Sequence, residues 1–590
     1  MRVSDYYAQY LKNSGVDYVF GLQGSGTTVQ MFDSIAQCDG IDYVCTLHEE
    51  AAGMAACAYA QVTNGLGACI ATSGPGATNL YTSIAGAFYN SIPVIFIVGQ
   101  AQSKWLRYSD ELRHFGYHEN NIDIFKPITK YVVELTTPEM TCYEIEKAVY
   151  YAMEGRPGPV VISLVDDVTW LQIEPEKMCH FKRPLSDNKT VNNIGEILEQ
   201  IKQAERPILM LGNGIRCAGA EKEAKELIEL LKWPVALTYA MRDFLPDDRT
   251  ENIGSFGNQG SRGGNFAVQN ADFILAIGVR FDPYETGTPA SNFARGAKIV
   301  SVDIDQAELG KYDKYGICCD WAIQCDAREF LKEFNPMISG MQLASLDNWF
   351  SRISEWKKKY PLCLPEYYHE STLNPYVFVE ILSEELQAGD TIVTDTSTPR
   401  NFMYQAFKFK EKQRMVTWLN FACLGYGLPG AIGASYSGRG RVFGIMGDGG
   451  LQFNIQELAT VMFNKLNIKI IVFDNGGFST IYRSQEQFLE GRYYGSDREH
   501  GLPIPDCETI AKAYGLPIIR ITSNDDIRKG IQEMLKIEGP VFCIVTLSIK
   551  HGPKPVRKGK DPIEDATPKL DYEELEKEMI IPPLKRMEGH

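Results

Sequence analysis

The sequence predicts an α/β protein of three doubly wound parallel-sheet domains, and three observations carry that prediction. Short apolar runs that read as buried strands alternate with helix-like segments along most of the chain. Many of these runs end in glycine-rich turns, where a parallel sheet opens its binding edge. Two polar, breaker-rich stretches, Arg183 to Asn192 and 345–375, read as linkers. They divide the chain into domains at 1–175, 190–342 and 370–550, with a tail at 551–590.

In the first domain the strand-like runs are Tyr18 to Gly21, Tyr43 to Thr46, Gly67 to Ala71, Val94 to Val98 and Val160 to Leu164. The turns Gly21-Leu22-Gln23-Gly24-Ser25-Gly26 and Ser73-Gly74-Pro75-Gly76-Ala77-Thr78-Asn79 put Gly24, Gly74 and Asn79 at the edge. Leu47-His48-Glu49-Glu50-Ala51-Ala52 places an acid at the start of a small-residue helix just after a strand. Read alone, such a carboxylate only complements the helix dipole, worth about 0.3–1 kcal/mol.

The second domain opens with Pro207 to Gly214, a strand ending in glycines, followed by a charged helix from Ala220 to Lys232. Ala271 to Gly278 and Lys298 to Asp303 continue a nucleotide-binding-like sheet.

The third domain begins at Thr391 to Thr394, and Asp395-Thr396-Ser397-Thr398 follows at its edge. Val442 to Met446 runs into Gly447-Asp448-Gly449-Gly450, Leu451 to Asn464 has apolar residues at helical spacing, and Ile470 to Phe473 runs into Asp474-Asn475-Gly476-Gly477. Asp448 and Asn475 are 27 positions apart, yet a parallel strand-helix-strand unit opens both strand ends at one crevice. The glycines let a backbone approach an anion, and one carboxylate with one amide oxygen suits a hard cation such as magnesium carrying a diphosphate. A Gly-Asp-Gly run alone fits an ordinary tight turn equally well; the Asn after the second strand favours the metal.

At 590 residues and 44% hydrophobic content the chain can bury a large core. Its formal charge of −16 disfavours nucleic acid or an anionic membrane as a partner. Fourteen cysteines without a Cys-x-x-Cys pair read as reduced thiols, and the polar start lacks an apolar signal segment, so a cytoplasmic protein is expected.

Gly447-Asp448-Gly449 with Asn475 resembles the cofactor motif of thiamine-diphosphate enzymes. The resemblance implies that Asp448, Asn475 and the main-chain carbonyl of Gly477 hold Mg2+; Asp474 stands where the family usually has a first Asn. Phe20-Gly21, His48-Glu49, Ser73 to Asn79 and Gly99-Gln100 are similar, in order, to the pyrimidine-binding domain of acetohydroxyacid synthases. That likeness implies Glu49, rather than Glu50, as the catalytic acid that drives the cofactor's ring to its imino tautomer. Leu424-Gly425-Tyr426-Gly427 resembles the segment whose bulky side chain bends the cofactor, a role for Leu424. Ser397, Thr398 and Ser479 would then meet phosphate oxygens, beside Gly447, Gly449 and Gly450.

Departures from the family pattern bear on the substrate. His118, in Phe115-Gly116-Tyr117-His118-Glu119, replaces a Gln and is a candidate acid-base group. Arg483 and Ser484 replace a Gln-Trp pair that borders the acceptor, which suggests a larger or more polar acceptor. In the central domain Thr238, Arg280, Asp303 and Asp326 match positions around a structural FAD, whereas Tyr284 replaces a second arginine and Gln259 a histidine. FAD, ADP and no nucleotide all occur in this fold.

The resemblance thus implies decarboxylation of a 2-oxo acid such as pyruvate and joining of its two-carbon unit to an acceptor carbonyl, in a homodimer or homotetramer with active sites between subunits. Transfer to an acceptor such as a keto-sugar nucleotide, simple decarboxylation, and a non-catalytic cofactor-binding scaffold are the alternatives. The tail, rich in charge and proline, is expected to be solvated, with a lid or clasp as its other reading.

Overall fold

Alternating apolar runs and glycine turns build three fully parallel sheets, seen in a computed structural model that describes residues 1–109, 111–113, 115–184 and 194–586. The first linker is expected mostly within 185–193, outside the described residues. Sheet one comprises β1 (Tyr18–Gly21), β2 (Asp42–Cys45), β3 (Gly67–Ala71), β4 (Val94–Gln100), β5 (Tyr131–Leu135) and β6 (Val160–Val165), ordered β2-β1-β3-β4-β6-β5. Sheet two comprises β7 (Pro207–Leu211), β8 (Val235–Leu237), β9 (Phe273–Ile277), β10 (Lys298–Asp303) and β11 (Trp321–Gln324), ordered β11-β10-β9-β7-β8. Sheet three comprises β12 (Thr391–Thr394), β13 (Arg414–Val416), β14 (Val442–Gly447), β15 (Ile468–Asp474), β16 (Ile518–Ile521) and β17 (Val541–Thr546), ordered β13-β12-β14-β15-β17-β16.

Sheets one and three therefore wind alike. Each begins in the middle, steps one strand to one side, then crosses to the other, leaving a switch point between its first and third strands. Ligands bind outside the carboxyl ends of strands at such points. Glu49 follows β2 and Gly74 follows β3; Ser397 follows β12 and Asp448 follows β14.

The two edges are held in one body by a helix made for close approach. Glu49–Thr63 buries Ala51, Ala52, Gly53, Ala55, Ala56 and Ala58, and packs on Gly427–Ser435. A side chain at Gly433 would begin 2.0 Å from the Ala55 carbonyl oxygen, so backbone meets backbone there. Leu47 donates its N–H to the Glu457 carboxylate at 3.0 Å, tying the loop before Glu49 to the third domain.

Two expectations need correction. The stretch 345–375 is not a bare linker: Asp347–Lys359 is a helix whose Trp349, Ile353 and Trp356 are buried. Nor is the tail a solvated end over 551–586. Lys554 donates its N–H to the Tyr376 hydroxyl at 2.6 Å, Asn265 donates to the Ile563 carbonyl at 2.8 Å, and Glu578 pairs with Arg352 and Lys359 at 2.8 and 2.6 Å. Its acids find cationic partners on the Asp347–Lys359 helix and, at Arg295, on the central domain, so the tail straps the second and third domains together.

Candidate active site

Two crevices carry the predicted site residues of the first and third domains. On the first, Glu49 opens its helix behind His48, whose Nδ1 accepts the Glu50 N–H at 3.2 Å. Glu49 is 8% exposed. Its Oε2 accepts from Asn79 Nδ2 at 3.0 Å, and its Oε1 lies 3.2 Å from where a Gly76 side chain would begin. A residue larger than glycine would fill the space beside the acid. Gly74, at φ +64°, turns the chain here, and Gly24 presses on Thr72 across the crevice.

His118 is held on the loop after β4 by contacts at both ring nitrogens. Its Nδ1 accepts the Arg107 N–H at 3.0 Å and its Nε2 lies 3.3 Å from Glu134, which also accepts from Gln100 at 2.9 Å. Both ring nitrogens are engaged in holding the loop after β4. The neighbouring Glu119 lies over Gly74 with Oε2 buried and unpartnered, and burial pushes its carboxyl upward.

On the third domain Asp448 is fully buried at the end of β14. Its Oδ1 accepts the Gly449 N–H at 2.8 Å and its Oδ2 the Gly476 N–H at 2.7 Å, which draws the β14 and β15 turns together. Burial and then the charge of Asp474 push the Asp448 carboxyl up. Asn475 Oδ1 lies 3.2 Å from the Gly477 nitrogen on the same turn. A buried carboxylate, a second carboxylate beside it, an amide oxygen and a turn carbonyl form a hard-oxygen donor set that fits Mg2+.

Hydroxyls gather beside them. Ser397 Oγ is 2.6 Å from Thr480 Oγ1, and Thr398 Oγ1 is 3.4 Å from Ser479 Oγ. They stand where helices Thr398–Ala406 and Ser479–Phe488 begin, so two positive helix ends converge on one spot, as a diphosphate requires. Thr480 was not anticipated; its place after Ser479 at a helix start was the available signal.

Asp395 is the larger omission. It is 1% exposed and accepts N–H groups from Thr396, Gly425 and Gly427 at 2.6, 3.1 and 3.3 Å. Burial pushes its carboxyl up to about 6, against those donors and Arg400. It thereby fixes the loop carrying Leu424, whose Cδ1 lies 3.5 Å from where a Gly450 side chain would begin. Replacing Asp395 by Ala strands buried N–H groups and is expected to cost about 1–3 kcal/mol in chemical denaturation, with weaker cofactor binding. An acid right after a strand was the sequence signal.

Arg483 is half-buried against Gly552 of the strap: a side chain there would begin 1.9 Å from the guanidinium. Among the described residues it makes no ion pair. Ser484 donates to the Thr480 carbonyl at 2.9 Å, a bond within its own helix.

The central sheet has its own crevice at the β7/β9 switch point, lined by Thr238, Arg280, Asp303 and Asp326. Glu285 on its wall is 4% exposed, and burial, with Asp282 beside it, pushes its carboxyl up to about 8. A folded-state pKa raised above the ordinary 4.5 means that folding stability falls as pH rises from about 4.5 to 8, by at most roughly 5 kcal/mol. Glu285→Gln should remove that slope: melting temperature is expected to rise at pH 8 and to stay unchanged near pH 4.5.

The chain matches the thiamine pyrophosphate enzyme N-terminal TPP binding domain over 1–125, the central domain over 194–334 and the C-terminal TPP binding domain over 395–545. It is 32% identical over 563 residues to a probable acetolactate synthase large subunit of Methanocaldococcus jannaschii, covering 93% of this chain and 92% of that one. Acetolactate synthase large subunits of Cyanidium caldarium and Corynebacterium glutamicum are 31% and 32% identical, over 90% and 89% of this chain and 91% and 83% of theirs.

Proposed function

Because this chain belongs to the acetolactate synthase family of thiamine pyrophosphate enzymes, we propose that it releases carbon dioxide from a 2-oxo acid, pyruvate in the first instance, and joins the two-carbon unit to an acceptor carbonyl. The observation that carries this reading is the duplicated edge: one sheet order, used twice, sets an acid beside one switch point and a metal donor set beside the other.

Thiamine diphosphate, when bound, supplies a carbon acid that becomes a nucleophile toward a 2-oxo acid. Asp448, Asn475 and the Gly477 carbonyl would hold Mg2+, with Ser397, Thr398, Ser479 and the two helix starts on phosphate oxygens. Glu49, oriented by Asn79, would present its carboxyl to the aminopyrimidine edge and exchange a proton there. Leu424, held by Asp395 through the loop amides, would pack against the cofactor and support its conformation.

Glu49 takes its hydrogen bond from its own domain, and large apolar side chains lie exposed near both edges: Leu47 and Phe453 at 54% and Tyr81 at 44%. This supports a homodimer, or a dimer of dimers, in which two copies close on each cofactor. All fourteen cysteines are free, which supports a cytoplasmic setting, and no described helix is long and apolar enough to cross a membrane.

A second acceptor class is favoured by Arg483. A half-buried guanidinium with no ion pair among the described residues suits a carboxylate or phosphate, and a keto-sugar nucleotide carries the latter. The test is the product formed from pyruvate with thiamine diphosphate and Mg2+: because a second pyruvate can itself serve as acceptor, a joined 2-hydroxy-3-oxo acid, or a joined product with an added acceptor, supports ligation, whereas stoichiometric acetaldehyde indicates a simple decarboxylase. Arg483→Ala is expected to raise KM for an anionic acceptor about tenfold or more with little change for pyruvate.

A further inference from the structure

The central crevice fits half of FAD. At one end Asp303, 9% exposed, accepts the Asp305 N–H at 2.8 Å through Oδ1, and lines the crevice, where an acid after a strand meets ribose hydroxyls. In the middle the turns after β7 and β9 are pressed together. A side chain at Gly212 would begin 2.1 Å from the Gly278 oxygen, and one at Gly278 2.6 Å from the Gly214 Cα. Bare backbone therefore faces the crevice, and Arg280 stands over it with no ion pair among the described residues. A guanidinium above glycine turns is a diphosphate site.

Past Thr238 the polar lining gives way to aromatic packing. Tyr239 and Tyr404, both fully buried, stack with centroids 3.4 Å apart and planes 11° apart. The Tyr404 hydroxyl donates to the Phe256 carbonyl at 2.7 Å and accepts its N–H at 3.1 Å; the Tyr239 hydroxyl donates to Gln259 Oε1 at 2.8 Å. Tyr284 meets Tyr239 edge-on at 6.2 Å, the Arg400 guanidinium lies 5.7 Å from the Tyr284 ring, and Leu419 packs on the stack. The two positions at which the sequence departs from the flavin pattern, 259 and 284, thus meet on Tyr239, Gln259 by a hydrogen bond and Tyr284 by ring contact. Seating a tricyclic ring there requires breaking the stack and orphaning buried hydroxyls.

We propose that this crevice binds a nucleoside diphosphate of the ADP class and that the Tyr239–Tyr404–Tyr284 cluster closes it to the isoalloxazine of FAD. The ligand is held for structure, across the junction of the second and third domains. The proposal does not depend on the carboligase reading, since it is read without turnover.

The experiment is calorimetric titration of the whole protein with ADP and, separately, FAD, together with the flavin absorbance of the protein as purified. ADP is expected to bind and to raise the melting temperature, and Arg280→Ala to weaken it about tenfold or more. FAD should bind no tighter than ADP, with its flavin fluorescence unquenched, and purified protein should be colourless. Tyr239→Ala with Tyr284→Ala should bring FAD affinity above that of ADP. Yellow protein, FAD binding tighter than ADP with quenched fluorescence, or absence of ADP binding would each overturn the proposal.

Discussion

Replacing Glu49 by Gln is expected to lower turnover about 10²–10⁴-fold, the usual contribution of a positioned acid-base group, while leaving thiamine diphosphate affinity within a fewfold of the parent. The shape of the side chain is kept and the Asn79 contact can be retained through the remaining amide oxygen. What is lost is the carboxyl proton at the aminopyrimidine edge. Glu49 has no part in the hydroxyl cluster or the Asp448 donor set, so phosphate and metal binding should survive. Steady-state kinetics and titration of cofactor by tryptophan fluorescence measure the two effects separately. A variant that loses binding and turnover together would assign Glu49 a structural role instead.

The second large effect is expected at Asp448. Asp448→Asn keeps the volume but places an amide where both carboxylate oxygens accept backbone N–H groups, from Gly449 and Gly476. One of those buried donors is then unmet, and the principal anionic metal ligand is gone. Outer partners of metal ligands are commonly worth 10–100-fold in affinity, so loss of this ligand should weaken Mg2+-dependent cofactor binding by at least about 100-fold. Excess Mg2+ should recover part of it. Unchanged binding at ordinary Mg2+ would remove Asp448 from the donor set.

Much of the fold was legible because these strands are short and mostly buried: β1, β3, β10 and β12 lie where the predicted runs lie. The edge strands β5, β8 and β11 were not. Their burial is partial or their length only three or four residues, as in Trp321–Gln324, so neither periodicity nor apolarity marks them. The 345–375 helix was hidden by its lysines, which lie on the exposed face of a helix anchored by two tryptophans. The strap was hidden because its acids look solvated until Arg352, Lys359 and Arg295 are placed opposite them.

In the site, residues set by strand ends were legible, since Asp448 and Asn475 need only the parallel crossover to meet. Asp395 was not, because its meaning lies in the amides of Gly425 and Gly427, thirty and thirty-two positions on. His118 shows the reverse. Its residue type suggested proton transfer, and the sequence did not show that its two nitrogens would also meet Arg107 and Glu134 and hold a loop. The dipole reading of Glu49 also holds in part, since it does begin a helix. Its burial beside Gly76 and Asn79 adds what a surface capping acid lacks.

Mixing the two impaired variants tests the account most directly. If each cofactor is served by Glu49 of one copy and Asp448 of another, a hybrid of Glu49→Gln and Asp448→Asn chains contains one intact pair. After subunit exchange, carbon dioxide release from pyruvate should rise well above that of either parent variant. If exchange is verified by mass and no activity returns, the acid and the metal set do not meet across two copies, and the account fails.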